Sequence, residues 1–229
     1  MGESKKLKPA SGDFAYTAIK AAISLIPWVG GSTAEIFAAI VTPPLQKRRD
    51  QWIEDIAKGL EELREKRPGL DWDGLLKSDQ FVTATLHATQ TALKNHQIEK
   101  LEALRNAVLN ASIGANLDED LQMVFLRYID ELTPWHLRVL AYFHDPEAVW
   151  KKLQATTPNR IIGSIKEGVF LEFPELNKDR YLYQQLVADL KARGLLDAFE
   201  DGFMSLTGAL TSRTSDLGKR FVAFIQSPL

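Results

Sequence analysis

Four histidines and no cysteine bound the side-chain chemistry open to this chain. Without Cys there is no disulfide, no thiolate nucleophile and no Cys-based zinc site. His96 and Glu99 stand one turn apart, and His136 and His144 lie on roughly one helix face. A metal needs three or four convergent ligands, and no HExxH is present. His87 and the other three are therefore expected at the surface or as caps. Asp118-Glu119-Asp120 has the charge to attract a divalent cation, but acidic residues at a helix start ordinarily compensate the helix dipole. Gly163-Ser-Ile-Lys-Glu-Gly168 has the glycine spacing of a P-loop, yet Val169 and Phe170 stand where Lys and Ser/Thr are required. There is no GxSxG and no GxGxxG. Asn110-Ala-Ser112 matches a glycosylation acceptor, which matters only in a secreted chain. No catalytic residue, metal or cofactor is expected, and the chain reads as non-enzymatic.

These residues must be carried by 229 residues, 45% hydrophobic and 25% charged, with a net charge of −2. Such values are average for globular proteins and exclude a wholly disordered chain, a collagen and a polytopic membrane protein. No basic excess draws the chain to nucleic acid or anionic lipid. The most apolar stretch, Phe14 to Leu45, contains an uncharged run of 14 residues, Ala21 to Ala34. A spanning helix needs about 20. Pro27 and Gly30-Gly31 interrupt the run, and Ser32 with Glu35 has the spacing of a capping box. We expect an apolar helical hairpin at about 13–43, turning at Trp28 and stopped by Pro43-Pro44. Its candidate contact residues, for a partner or a membrane, are Ile26, Trp28, Val29, Ile36, Phe37 and Ile40.

Beyond the hairpin, Leu45, Trp52, Ile53, Ile56, Leu60 and Leu63 recur at helical spacing. Residues 46–67 carry a net charge of +1 and form the solvated face of an amphipathic helix ended by Pro68-Gly69. Lys47-Arg48-Arg49 could meet lipid phosphates, but acidic residues follow at once. Ser78 caps a helix over 79–94. Another carries Ile98, Leu101, Leu104 and Val108, and a third carries Leu121, Val124, Phe125, Tyr128, Ile129 and Leu132. Residues 68–132 are the acidic part of the chain, with 5 basic and 10 acidic residues.

Thr133-Pro134 and Asp145-Pro146 are strong helix starts. Val169, Phe170 and Leu171 suit a brief strand. A helix then runs to Gly194, its left-handed stop, and Asp201-Gly202 signals a hairpin. The chain closes on a capped helix with Leu217, Phe221 and Ile225. This order, carried by LTPWHLRVLAYF, LVADLKARGLL and TSDLGKRFVAFI, resembles a winged-helix domain over about 133–229. The resemblance implies a helix before the wing that can enter the major groove. With Leu182, Leu186, Val187 and Leu190 turned inward, that helix offers Gln184, Gln185 and Lys191 to DNA. Asp189, Asp197, Glu200 and Asp201 have the wrong sign for a polyanion.

The expected fold class is mainly α. It comprises an N-terminal helical hairpin and bundle (1–132) and a winged-helix-like domain with a small β-hairpin (133–229). The layout, an uncharged hairpin, a charged helix, an acidic body and the Leu-Thr-Pro-x-His-Leu-Arg-Val-Leu entry, is similar to uncharacterised bacterial helical proteins and distantly to the abortive-infection alpha family of phage defence. That resemblance implies a bacterial, cytoplasmic protein, peripheral to the inner membrane where lipid contact operates. Its expected role is that of an effector or regulator acting through a protein partner, self-association or a membrane. The alternatives are a DNA-binding regulator, disfavoured by charge, and an unrecognised enzyme.

Overall fold

The computed structural model describes residues 32–114, 117–156, 162–199 and 202–229. Within them the protein is mainly helical, with twelve helices and no strand. The helices are α1 Ser32–Lys66, α2 Trp72–Leu76, α3 Asp79–Lys94, α4 Ile98–Ser112, α5 Glu119–Glu131, α6 Pro134–His144, α7 Pro146–Thr156, α8 Ile165–Glu172, α9 Pro174–Lys178, α10 Arg180–Ala192, α11 Leu206–Ala209 and α12 Asp216–Ile225. Local chemistry starts them. The Ser78 hydroxyl accepts from Phe81 N–H at 3.3 Å at the head of α3, and Asp179 accepts from Leu182 N–H at 3.0 Å at the head of α10. Each bond satisfies a donor that the first helical turn leaves free. Gly194, at φ +69°, ends α10 as its spacing predicts.

The chain divides into two compact units, 1–130 with 225–229 and 131–224. In the first, α3 and α4 form a helical hairpin across which α1 lies. The inward stripe of α1 is Trp52, Ile53, Ile56, Leu60 and Leu63, all buried. Burial of such side chains stabilises by about 1.5–3 kcal/mol each. The facing surfaces are built of small residues, Ala84, Ala88 and Ala92 on α3 and Ala103 and Ala107 on α4. They let the helix backbones approach closely. Thr89 is buried as well and accepts from the Trp52 indole N–H at 3.0 Å. The threonines that weaken α3 as an isolated helix thus include one that satisfies a buried donor.

In the second unit α6 packs on α10 and α8 on α7 and α9, and the buried residues include Val139, Leu140, Phe143, Ile165, Val169, Leu186 and Leu190. One antiparallel bridge joins Leu196 to Thr214. Asp197 N–H donates to Arg213 O at 2.9 Å, and Ser215 N–H donates to Leu195 O at 3.2 Å. A satellite core of Trp150, Ile162 and Ala209 is filled out by Leu153, Leu171, Met204 and Leu210.

Two expectations are corrected. Pro43-Pro44 does not stop a helix; α1 runs through both prolines for 35 residues. A proline's own φ is helical, and its cost falls on one missing donor and on the preceding turn. Val169, Phe170 and Leu171 are not a strand but part of α8, whose start is capped by Ser164 accepting from Glu167 N–H at 3.2 Å. A short unbroken apolar run does not distinguish a buried strand from a buried helix. The hairpin turn and the residues Ile26, Trp28 and Val29 lie outside the described residues. So does Asp201 of the predicted β-turn; Gly202 is described.

Gly218 is required by close approach. A Cβ there would overlap the carbonyl oxygen of Leu195, which is backbone and cannot swing aside. Gly218→Ala is expected to lower stability by roughly 2 kcal/mol, despite alanine's better helix propensity. Thermal unfolding followed by circular dichroism checks this. A melting temperature at or above that of the parent chain contradicts the close approach.

Candidate functional site

The first unit carries a groove of about 610 Å³ along α1 and α4. On α1 its wall is Arg48, Gln51, Trp52, Asp55, Lys58 and Glu62. Their spacing of three, four and seven residues is one stripe down a helix, about 21 Å long at 1.5 Å per residue. On α4 the wall is Ile98, Leu101, Glu102 and Arg105, again one stripe. Ala92, Asn95 and His96, at the tight turn from α3 into α4, close one end. The floor is apolar, from Trp52, Ala92 and Leu101, and the rim is charged with both signs. Ile98 is 69% exposed at the rim.

Arg105 is the best-positioned charge in the groove. Its Nε–H donates to the backbone carbonyl of Asp55 at 3.2 Å. Its Nη2 would lie 2.8 Å from a Cβ at Gly59, so the guanidinium rests where α1 has no side chain. A mid-helix glycine costs about 1 kcal/mol against alanine; here it makes the seat for that group. Neither Gly59 nor Arg105 is singled out by the sequence. The signal available was a glycine inside an otherwise strong helix pattern.

Of the predicted contact residues, Ile36, Phe37 and Ile40 lie on the first turns of α1. No helix among the described residues is long and apolar enough to cross a membrane. The DNA candidates sit on α10. Gln184 is exposed. Gln185 instead donates to Asp189 Oδ1 at 2.8 Å, and Lys191 donates to the Phe199 carbonyl at 3.1 Å with its ammonium 3.9 Å from that ring's centroid. Leu186 and Leu190 face inward as expected, Leu182 and Val187 are half-buried, and Tyr183 joins the core.

The histidines do not converge. His96 lies in the link before α4, not on a helix with Glu99. His144 Nδ1 lies 3.3 Å from Thr214 Oγ1. His136 Nδ1 accepts from Thr133 N–H at 3.1 Å, and its Nε2 lies 3.3 Å from Asp189 Oδ2. No group of three potential metal ligands occurs among the described residues. Asp118 accepts from Leu121 N–H at 2.8 Å, an N-terminal cap. Gly168 is helical and packs on the Tyr142 hydroxyl, so the P-loop spacing has no loop. Asn110 is buried and donates to Gln226 O at 2.8 Å.

His87 is half-buried, and its Nε2 has no hydrogen-bond partner among the described residues. Desolvation pushes its pKa down, opposed by the Asp130 carboxylate and aided by Lys94 and Arg127. Burial also lowers the Lys100 ammonium, which donates to Asp130 O at 2.7 Å. No family model matches the chain, and no curated protein or solved structure matches it either.

Two predictions come from these histidines. The Thr133 N–H can only donate, so His136 Nδ1 must be unprotonated and the ring proton must sit on Nε2, facing Asp189. Long-range ¹H–¹⁵N spectra at neutral pH should show that tautomer; the Nδ1–H pattern refutes it. For His87 the folded pKa lies below the unfolded value near 6.5. The unfolded chain then binds more protons as pH falls below about 6.5, so stability is lost progressively down to the folded pKa and the loss stays constant below it. Urea unfolding from pH 7.5 to 5 should show a smaller acid loss in His87→Gln than in the parent; identical profiles would remove the assignment.

Proposed function

We propose that the chain is a non-enzymatic interaction protein that receives a segment of a protein partner in the α1–α4 groove. The observation that carries this reading is the groove itself: two helical stripes flanking an apolar floor, with Ile98 largely exposed at the rim. Paired helices with such a trough accept a third amphipathic helix through anchors at i, i+3, i+4 and i+7. A rim of mixed sign sets register and rejects wrong partners more than it adds affinity. The similarity to abortive-infection alpha proteins supports a defensive setting in a bacterial host. Contact with a membrane through Ile36, Phe37 and Ile40 belongs to the same proposal as a secondary mode.

The test is a photo-crosslinking residue placed at Ile98 in a bacterial host, with and without phage infection. A discrete heavier adduct is expected from Ile98, and none from the same residue at Val82, an exposed apolar position outside the groove wall. Only the monomer from both positions, in both conditions, overturns the reading.

For the second unit we propose a winged-helix-like topology with the wing reduced to one bridge. The succession of α6, α8 and α10, the Leu196–Thr214 bridge and α12 supports it. DNA binding is the second reading, favoured by the exposure of Gln184 and of Tyr181, at 85%, on α10. The local bonds of Gln185 and Lys191 weigh against it. Little neutralisation of phosphate is available, and that term supplies most non-specific affinity. Fluorescence anisotropy at low salt should show no binding of a random duplex at micromolar protein. Binding that weakens steeply with added salt would reverse the preference for protein contact.

A further inference from the structure

We infer that the groove grips a carboxylate, and that Arg105 is its receptor. The inference rests on the partner-binding reading of the groove and names the group that the partner presents. The Nε–H of Arg105 is spent on the Asp55 carbonyl, and the guanidinium is seated over Gly59. The Nε–Nη2 edge of the planar group is thereby turned onto α1, and the terminal Nη1–Nη2 edge is the one left for a bidentate ligand. Asp55, Glu62 and Glu102 line the same groove. Among the described residues none of them forms an ion pair with Arg105, whose one hydrogen bond is to a backbone carbonyl. An arginine pinned in place with a free donor edge is pre-organised for a planar oxyanion, which it binds through two parallel N–H···O bonds. Less side-chain freedom remains to be lost on binding than for a solvated arginine.

The choice of oxyanion follows from the rim. Arg48, Lys58 and Arg105 line the groove together with Asp55, Glu62 and Glu102, so these formal charges cancel. With the rim neutral overall, a phosphate near two negative charges gains no net Coulombic attraction over a singly charged carboxylate and costs more to desolvate beside the apolar floor. The apolar floor beside Arg105 suits a carboxylate borne on a short hydrocarbon arm, as in a glutamate of an amphipathic helix. The partner segment is therefore acidic at the position facing Arg105 and aliphatic one and two turns away, where Leu101 and Ile98 lie.

The test uses the full chain and two probes, N-acetylglutamic acid α-amide with one carboxylate and inorganic pyrophosphate. The Arg105 Nε–Hε cross-peak, assigned by its loss in Arg105→Lys, is followed by NMR. A saturable shift with the glutamate probe is expected, and weaker binding of pyrophosphate. In Gly59→Ala, which keeps the arginine and removes its seat, the glutamate probe should bind roughly tenfold more weakly. Where Gly59→Ala fails to fold, Arg105→Lys decides, read through the amide peaks of residues 98–105; it should show a similar loss. No saturable shift, or equal affinity in parent and variants, overturns the inference. Tighter binding of pyrophosphate overturns the carboxylate assignment in favour of a phosphate ligand. An adduct at Ile98 with an unresponsive Arg105 leaves the partner reading standing and removes this one. A responsive Arg105 with no adduct does the reverse.

Discussion

The first unit depends on the burial of one stripe of α1 against the small-residue faces of α3 and α4. Trp52, Ile53, Ile56, Leu60 and Leu63 supply the apolar area, and Ala84, Ala88, Ala92, Ala103 and Ala107 supply the space. Neither set is sufficient alone. Large residues facing large ones would hold the helices apart, and small residues facing small ones would bury too little area to offset the entropy of ordering the chain. The Trp52–Thr89 bond fixes the register of α1 on α3, because an indole N–H buried without a partner costs about 1–3 kcal/mol. The groove is a by-product of that packing. The large stripe of α1 seats on the small residues of α4, and the longer side chains flanking that contact form the groove walls.

The second unit is closed differently. Its contacts include close approaches that glycine permits: Gly218 against the Leu195 backbone carbonyl and Gly168 against the Tyr142 side-chain hydroxyl. The bridge beside Leu195 adds bonds from Asp197 and Ser215, and Arg213 N–H donates to Phe143 O at 2.9 Å. The residues after α10 are thereby tied to the unit by main-chain bonds. His136 belongs to the same economy of fixed groups. One of its ring nitrogens serves the α6 cap and the other faces Asp189 of α10, so a residue type often read as catalytic here joins two helices.

The helices α3, α4, α5, α6, α7, α10 and α12 were legible from caps and periodicity, whereas the short α2, α9 and α11 and the apolar α8 were not. Ser78 was read as a cap and accepts the N–H three residues on, and Asp179 and Ser164, which were not read as caps, do the same. What failed was punctuation inside helices. Pro43-Pro44 looked like a terminator because the cost of a proline is local, whereas whether a helix continues depends on φ and on what holds it downstream. Val169 to Leu171 looked like a strand because three apolar residues carry no period. The groove was legible only in fragments. Each wall is a recognisable amphipathic stripe, but that the charged edges of α1 and α4 would face one another across an apolar floor depends on the rotation of each helix about its axis. Small alanines set that rotation, and periodicity weighs them lightly.

The link between Gly59 and Arg105 shows why a residue's meaning is set by its tertiary neighbour. Considered within α1, Gly59 is a weakness of about 1 kcal/mol. Considered from α4, it is the one position on that stretch of α1 where a guanidinium can reach a main-chain carbonyl without meeting a Cβ. A carbonyl already engaged in the helix ladder is a weaker acceptor than a carboxylate, yet Arg105 uses it while three carboxylates line the same groove. Pairing with one of them would gain little at an exposed rim, where such bridges are worth about 0–1 kcal/mol, and would occupy the planar group's outer edge. The backbone bond orients the arginine without neutralising it. Its charge therefore stays directed into the groove, beside apolar atoms that exclude water from one side and strengthen whatever bond that charge makes.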